Sequence, residues 1–279
     1  MLVISSLQNP RIKSVVRLRD RRGRDRDPRV VIEGYRALSR ALGSGYPVEE
    51  LYVCEALFQG ENEAELIAAL RLSGAQVIGT TEGVFRKLAY RDRPEGLLGV
   101  GPQLSLDLAR LETGHGIPLY LVAESIEKPG NLGTMLRSAD AVGASGLIVC
   151  DPRTDVYNPN VVRASTGNLF TVPLALADSS SARAWLAGHG IAILAASPHA
   201  AALHWGVDLT GPLAIVVGTE QYGLSDSWME AADIRVRLPM QGVADSLNVA
   251  TATAILLYEA IRQRMDAGLI ADRGPVPEE

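Results

Sequence analysis

A chain of 279 residues, 47% hydrophobic and 21% charged, has an ordinary globular composition and room for two domains of typical size. No apolar run approaches the ~20 residues of a membrane helix, and the opening MLVISSLQNPRIK lacks the basic-then-apolar order of a secretion signal. The formal net charge of −5 conceals an asymmetry: residues 1–40 hold ten arginines and one lysine against four acids, a net +7, which leaves −12 on the other 239 residues.

A basic arm on an acidic body is the footprint of a phosphate-binding attachment. Because Arg17 to Arg29 is interleaved with Asp20, Asp25 and Asp27, a solvated mixed-charge helix is the plainer alternative. Cys54 and Cys150 are the only cysteines, without CxxC spacing, which argues against a disulfide framework or a zinc site. His115, His189, His199 and His204 stand in no ligand or nucleophile spacing and read as structural or solvated. The expectation is a cytoplasmic α/β protein with no membrane and no metal.

In chain order, Ser5 to Asp20 reads as helical after Pro10, Val30 to Glu33 as a strand, and Tyr35 to Leu42 as a helix closed by Gly43. Leu51 to Cys54, Gln76 to Gly79 and Gly96 to Val100 read as strands, with a helix over Ala64 to Ser73. Gly101 to Gly116 carries Pro102, Gly114 and Gly116 and looks like a linker. The division expected is a domain at 1–105, a linker at 106–116 and a second domain at 117–279.

The second part opens with the apolar run Pro118 to Ala123, then a polar turn through Asn131. A helix follows with Leu132, Met135, Leu136, Ala139 and Val142 on one face, stopped by Gly143, and Arg137 lies off that stripe. Gly146 to Cys150 is a strand, Tyr157 to Gly167 a polar, turn-rich stretch, and Leu169 to Leu174 another strand. A helix at Ala182 to Ala187 and strands at Ile191 to Ala196 and Leu213 to Val217 lead into the loop Gly218 to Leu224. Ile234 to Leu238 alternates as a half-buried strand ended by Pro239, and a wide apolar helix runs from Val249 to Ile261, with Ser246 as its expected N-cap. Alternating strands and helices predict a mostly parallel sheet. GxGxxG and Walker patterns are absent, which removes the common dinucleotide and P-loop alternatives.

Three stretches resemble, in order and spacing, the signature motifs of the SpoU/TrmH branch of the SPOUT RNA methyltransferases: Asn131-Leu132-Gly133 with Arg137, Gly218 to Leu224, and Leu238-Pro239-Met240 with Ser246-Leu247-Asn248-Val249. Val31-Ile32-Glu33-Gly34 and Arg91 to Gly96 resemble parts of the ribosomal-protein-like substrate-binding domain that many such enzymes carry.

The resemblance implies a C-terminal SPOUT domain with a deep trefoil knot, a smaller N-terminal α/β RNA-binding domain, a homodimer, and S-adenosylmethionine as cofactor. It further implies methyl transfer to a ribose 2'-hydroxyl of RNA, with ribosomal RNA, as in enzymes of the antibiotic-resistance type, ahead of tRNA. Carried over position by position, it assigns Arg137 to activation of the hydroxyl and Asn131 to orienting Arg137 and the RNA. Glu220 would hold the site loops, Ser246 and Asn248 would bond the loop and target nucleotide, and Gly218, Leu238, Met240 and Leu247 would line the cofactor. Arg163, Arg11, Lys13, Arg17, Arg36 and Arg91 are the expected RNA contacts. The rival readings are a silent RNA-binding protein that keeps the fold and a base methyltransferase of a related knotted family.

Overall fold

The computed structural model describes residues 2–111 and 116–274; His115 and residues 112–114 of the expected linker lie outside them. The first part of the chain runs β1 (Leu2–Ile4), α1 (Pro10–Arg17), α2 (Arg21–Arg26), β2 (Arg29–Glu33), α3 (Tyr35–Gly43), β3 (Glu50–Val53), α4 (Glu63–Leu72), β4 (Gln76–Thr80), α5 (Glu82–Leu88) and β5 (Leu97–Pro102). The second part runs β6 (Leu119–Glu124), α6 (Pro129–Ala141), β7 (Gly146–Cys150), α7 (Pro159–Ser165), β8 (Leu174–Ala177), α8 (Ser179–Gly188), β9 (Ala192–Ala196), β10 (Ala202–Leu203), β11 (Leu213–Val217), α9 (Asp226–Ala231), β12 (Ile234–Arg237) and α10 (Val249–Asp266).

These elements form two compact units, one comprising residues 1–105, 128–137 and 154–171, the other 106–127, 138–153 and 172–279. The first holds a five-stranded sheet of order β1-β4-β3-β5-β2, in which β5 runs antiparallel to both β3 and β2. Its core gathers Ile12, Val15 and Leu18 around α1 with Tyr52, Ile78, Phe85 and Leu98. Helix α1 begins where Asn9 Oδ1 accepts the Arg11 N–H and Pro10 supplies the first helical residue.

The second unit holds a seven-stranded, wholly parallel sheet of order β10-β12-β9-β11-β6-β7-β8. Every residue of β6, β7 and β11 is buried, as continuous apolar strands covered on both faces should be. At the sheet's far end from the strand tips, Arg264 of α10 is buried and donates to the carbonyls of Ile117, Pro118, Leu209 and Gly211 at 2.6–3.3 Å. One side chain thus closes the backbone groups that precede β6 and β11.

Three expectations need correction. Tyr157 to Gly167 contains a helix, α7, because Asn158 Oδ1 caps the Asn160 N–H and Pro159 occupies the first turn; the same residue types also mark turns, and the turn reading lost. Leu169 to Val172 is a turn that buries Leu169, Phe170 and Val172, with the Phe170 ring 4.5 Å from that of Tyr46, and the strand starts only at Leu174. The N-cap of α10 is Asn248, and Ser246 is exposed two residues upstream. Helices α5 and α9 were not anticipated.

Candidate active site

In the parallel unit, β9, β11 and β12 end side by side, and ligands of open parallel sheets gather beyond such strand ends. A cleft of about 520 Å³ lies there, walled by Leu238, Met240, Leu247, Val249 and Leu256, with Gly218, Glu220 and Ser246 also lining it. Each of the four positions expected to line the cofactor is therefore on this cleft, together with two of the expected polar residues.

The loop after β11 is closed on itself. Thr219 and Gly223 exchange both backbone hydrogen bonds at 3.0 Å, and the Tyr222 N–H donates to Thr219 Oγ1 at 2.9 Å. A Cβ on Gly218 would stand 2.1 Å from the Gly223 carbonyl oxygen, so only glycine permits this closure. The glycine serves the loop's approach to its own far end, a more specific demand than the ligand approach expected of it. Glu124 ends the apolar strand β6, is buried, and accepts the Ser225 N–H at 2.9 Å, which ties down the exit of the same loop. Sequence reasoning placed Glu124 in a polar turn; the signal missed was a single acid completing an otherwise apolar strand.

Asn248 joins the two loops. Its Oδ1 accepts the N–H groups of Ala250 and Thr251 at 3.0 and 3.3 Å, and its Nδ2 donates to Glu220 Oε1 at 3.3 Å. The acceptor half of one amide starts α10 while its donor half holds the loop after β11. Ser246 Oγ reaches only Asp245, at 3.4 Å, among the bonds described.

The remaining expected residues lie in the other unit. Asn131 is the third residue of α6, half-buried, its N–H donating to the Lys128 carbonyl at 3.0 Å; the helix begins at Pro129, inside the stretch expected to be a polar turn. Arg137 is exposed two turns on. Gly133 lets α6 approach α7, for a Cβ there would lie 2.5 Å from Ala164 Cβ and 2.8 Å from Ser165 N. Arg163 is exposed on α7.

The segment around α7 is bound into this unit at both ends. Asp155 pairs with Arg24, which is buried and also donates to the carbonyls of Leu18 and Arg19. Tyr157 Oη donates to the Leu104 carbonyl at 2.8 Å, and Arg40 Nη1 donates to the Thr166 carbonyl and to Asn168 Oδ1 at 2.7 and 2.8 Å. The basic arm is accordingly not one solvated face. Lys13 and Arg17 are exposed on α1, whereas Arg11 is half-buried 3.6 Å from Glu50.

Arg36 and Arg91 line a second pocket, of about 560 Å³. Arg91 pairs with Glu95, and its backbone N–H donates at 3.2 Å to Glu33, whose carboxyl burial raises above the usual range. Among the described residues no cluster of three or more His, Cys, Asp or Glu is placed to hold a metal, and no helix is long and apolar enough to cross a membrane.

An apolar-walled cleft with a few polar groups fits a cofactor carrying a flat aromatic ring and a polar tail, and comparison with known proteins agrees. Residues 118–258 match the SpoU rRNA Methylase family, and residues 9–99 match the MRM3-like substrate binding domain. The 23S rRNA (uridine(2479)-2'-O)-methyltransferase of Streptomyces viridochromogenes is 34% identical over 257 residues, covering 89% of this chain and 88% of that protein. A crystal structure of an RNA 2'-O ribose methyltransferase is 43% identical, with a TM-score of 0.82, over 95% of this chain and 100% of that one. The SpoU methyltransferase AviRb from Streptomyces viridochromogenes, in complex with AdoMet, is 30% identical with a TM-score of 0.83, over 92% and 100% of the two chains. With half the chain matched by the family and the cleft built from its motifs, this protein belongs to the SpoU rRNA methylase family.

Proposed function

We infer that this protein is an S-adenosylmethionine-dependent methyltransferase acting on a ribose 2'-hydroxyl of ribosomal RNA. The observation that carries the reading is the cleft beyond β9, β11 and β12, lined by residues of the second and third motifs in a chain whose relatives are named as RNA 2'-O-methyltransferases. Residues 1–105 would form the RNA-recognition domain, 106–116 the linker, and 117–279 the catalytic domain with its motif-three segment threaded as a trefoil knot. The location fitting this role is the cytoplasm.

Gly218, Leu238, Met240 and Leu247 would hold the cofactor, whose sulfonium supplies an electrophilic methyl group when bound. The protein's own task is to make a ribose hydroxyl nucleophilic, by removing its proton or stabilising the oxyanion. We assign this to Arg137. A guanidinium stays protonated in proteins, so Arg137 acts as a fixed positive charge that lowers the hydroxyl pKa, and a neighbouring RNA phosphate accepts the proton. Asn131 orients Arg137 and the RNA, Glu220 and Asn248 lock the two cleft loops, and Ser246 bonds the target nucleotide. Lys13, Arg17 and Arg163 are exposed cations suited to phosphate contacts, with Arg11, Arg36 and Arg91 supporting them.

A homodimer completes the proposal. Ile255, Tyr258 and Met265 lie toward one side of α10 and are 37%, 55% and 37% exposed, an apolar stripe that a second copy of the chain would cover.

Alkaline hydrolysis of ribosomal RNA treated with the enzyme and cofactor tests the chemistry. A 2'-O-methyl blocks cleavage at its own 3' phosphate, so one alkali-resistant dinucleotide is expected. A methylated base within a fully hydrolysed pool would overturn the assignment.

A further inference from the structure

The pocket of about 560 Å³ in the first unit is not needed for methyl transfer, and its lining is chemically specific. Tyr35 and Arg36 open α3 on one side, Asn62 and Glu63 open α4 on another, and Arg91 and Glu95 supply a third. Glu95 is fixed: it pairs with Arg91 and accepts the Tyr35 N–H at 3.3 Å. Gly34 lies beneath them, since a Cβ there would stand 2.7 Å from Glu95 Oε2 and 3.2 Å from both terminal nitrogens of Arg91.

Two polar atoms in this wall are buried without a partner. Glu63 is 5% exposed; its Oε1 accepts the Gln59 and Gly60 N–H groups at 3.1 and 2.9 Å, but Oε2 has none. The Arg91 Nε–H is likewise unsatisfied. Buried polar groups normally find partners, and a donor and an acceptor left over in one pocket point to a ligand that offers the complement of each.

We propose that this pocket receives one unpaired nucleotide of the RNA substrate. Unpaired bases are recognised by stacking on an aromatic ring or guanidinium plane and by hydrogen bonds along their edges. Tyr35 supplies the stacking plane, Asn62, Glu63 and the Arg91 Nε–H the edge contacts, and exposed Arg36 the phosphate contact. A carboxylate that accepts beside a guanidinium that donates suits a base presenting N–H groups and a carbonyl on one edge, which favours guanine. The pocket thereby selects substrate at a nucleotide other than the methylated one. This proposal rests on the reading of the protein as an RNA methyltransferase.

The test is steady-state methylation of in-vitro-transcribed 23S ribosomal RNA by the full-length wild-type, Tyr35→Ala, Tyr35→Phe and Asn62→Ala proteins, with calorimetric S-adenosylmethionine affinity as the check on folding. Loss of one stacked base predicts a rise in KM for RNA of about tenfold to a hundredfold in Tyr35→Ala. Tyr35→Phe should recover most of that loss, Asn62→Ala should raise KM more modestly, and cofactor affinity should stay within twofold, on the order of 0.4 kcal/mol. Unchanged KM in Tyr35→Ala and Asn62→Ala, with wild-type transfer intact, overturns the nucleotide pocket and leaves the methyltransferase reading standing. Absence of any transfer by the wild type overturns that reading and the pocket with it.

Discussion

Arg137 stands exposed on α6, and no ion pair or hydrogen bond engages its guanidinium among the described contacts, so its charge is available to substrate. If that charge activates the hydroxyl, Arg137→Ala should lower kcat by about 10²–10⁴-fold. Arg137→Lys, which keeps charge and loses the planar fork, should retain at least about ten times the activity of the alanine variant; equal activities in a methyl-incorporation assay would exclude a role for charge. Gly218 makes a different demand. Since a Cβ there meets the Gly223 carbonyl at 2.1 Å, Gly218→Ala must open the loop, and calorimetry should show cofactor affinity lowered by about tenfold or more, a penalty of roughly 1.4 kcal/mol. The cysteines offer a negative control. Both are buried, and burial first, then nearby carboxylates, pushes the Cys150 thiol up to about 12. Little thiolate exists near pH 8, so alkylation of Cys150 in the native protein should wait on unfolding.

Among the elements, α10 depends most visibly on one residue at each end. Asn248 caps it and reaches Glu220, so Asn248→Ala should cost about 1 kcal/mol of stability and loosen both cleft loops, with cofactor affinity falling alongside the melting temperature. Arg264 near its end is a buried cation satisfied wholly by carbonyls; burial lowers its pKa. This scale also separates what was legible in the sequence. The buried parallel strands were, since apolar runs of strand length such as Leu119 to Ala123, bounded by turn residues, read as strands covered on both faces. The helix α7 was not, because Asn158 and Pro159 start helices and turns alike, and the choice is made by Tyr157, Arg40 and Asp155 bonding to residues far away in sequence. Gly218, Glu220, Leu238, Met240, Ser246 and Leu247 were legible through their motif, and the structure brings them to one cleft. Glu124 and the Tyr35 pocket were not, since each depends on distant segments meeting.

For the whole molecule, charge is distributed so that phosphate attraction is local: the first 40 residues carry +7 while the chain carries −5. Part of that basic charge is structural, as Arg24 shows. Removing it should strand Asp155 and two carbonyls, and Arg24→Ala should cost about 3 kcal/mol in denaturant unfolding. Lys13 and Arg17 are exposed, so the double substitution to Ala should leave stability nearly unchanged and reduce the slope of log affinity for RNA against log salt by about two. The measurement that bears most directly on the account is labelled-methyl transfer from S-adenosylmethionine to purified ribosomal RNA and to tRNA in parallel, with nuclease digestion to identify the modified nucleoside. The account predicts one 2'-O-methylated nucleoside from the ribosomal pool; a base-methylated nucleoside, or incorporation into tRNA alone, would contradict it.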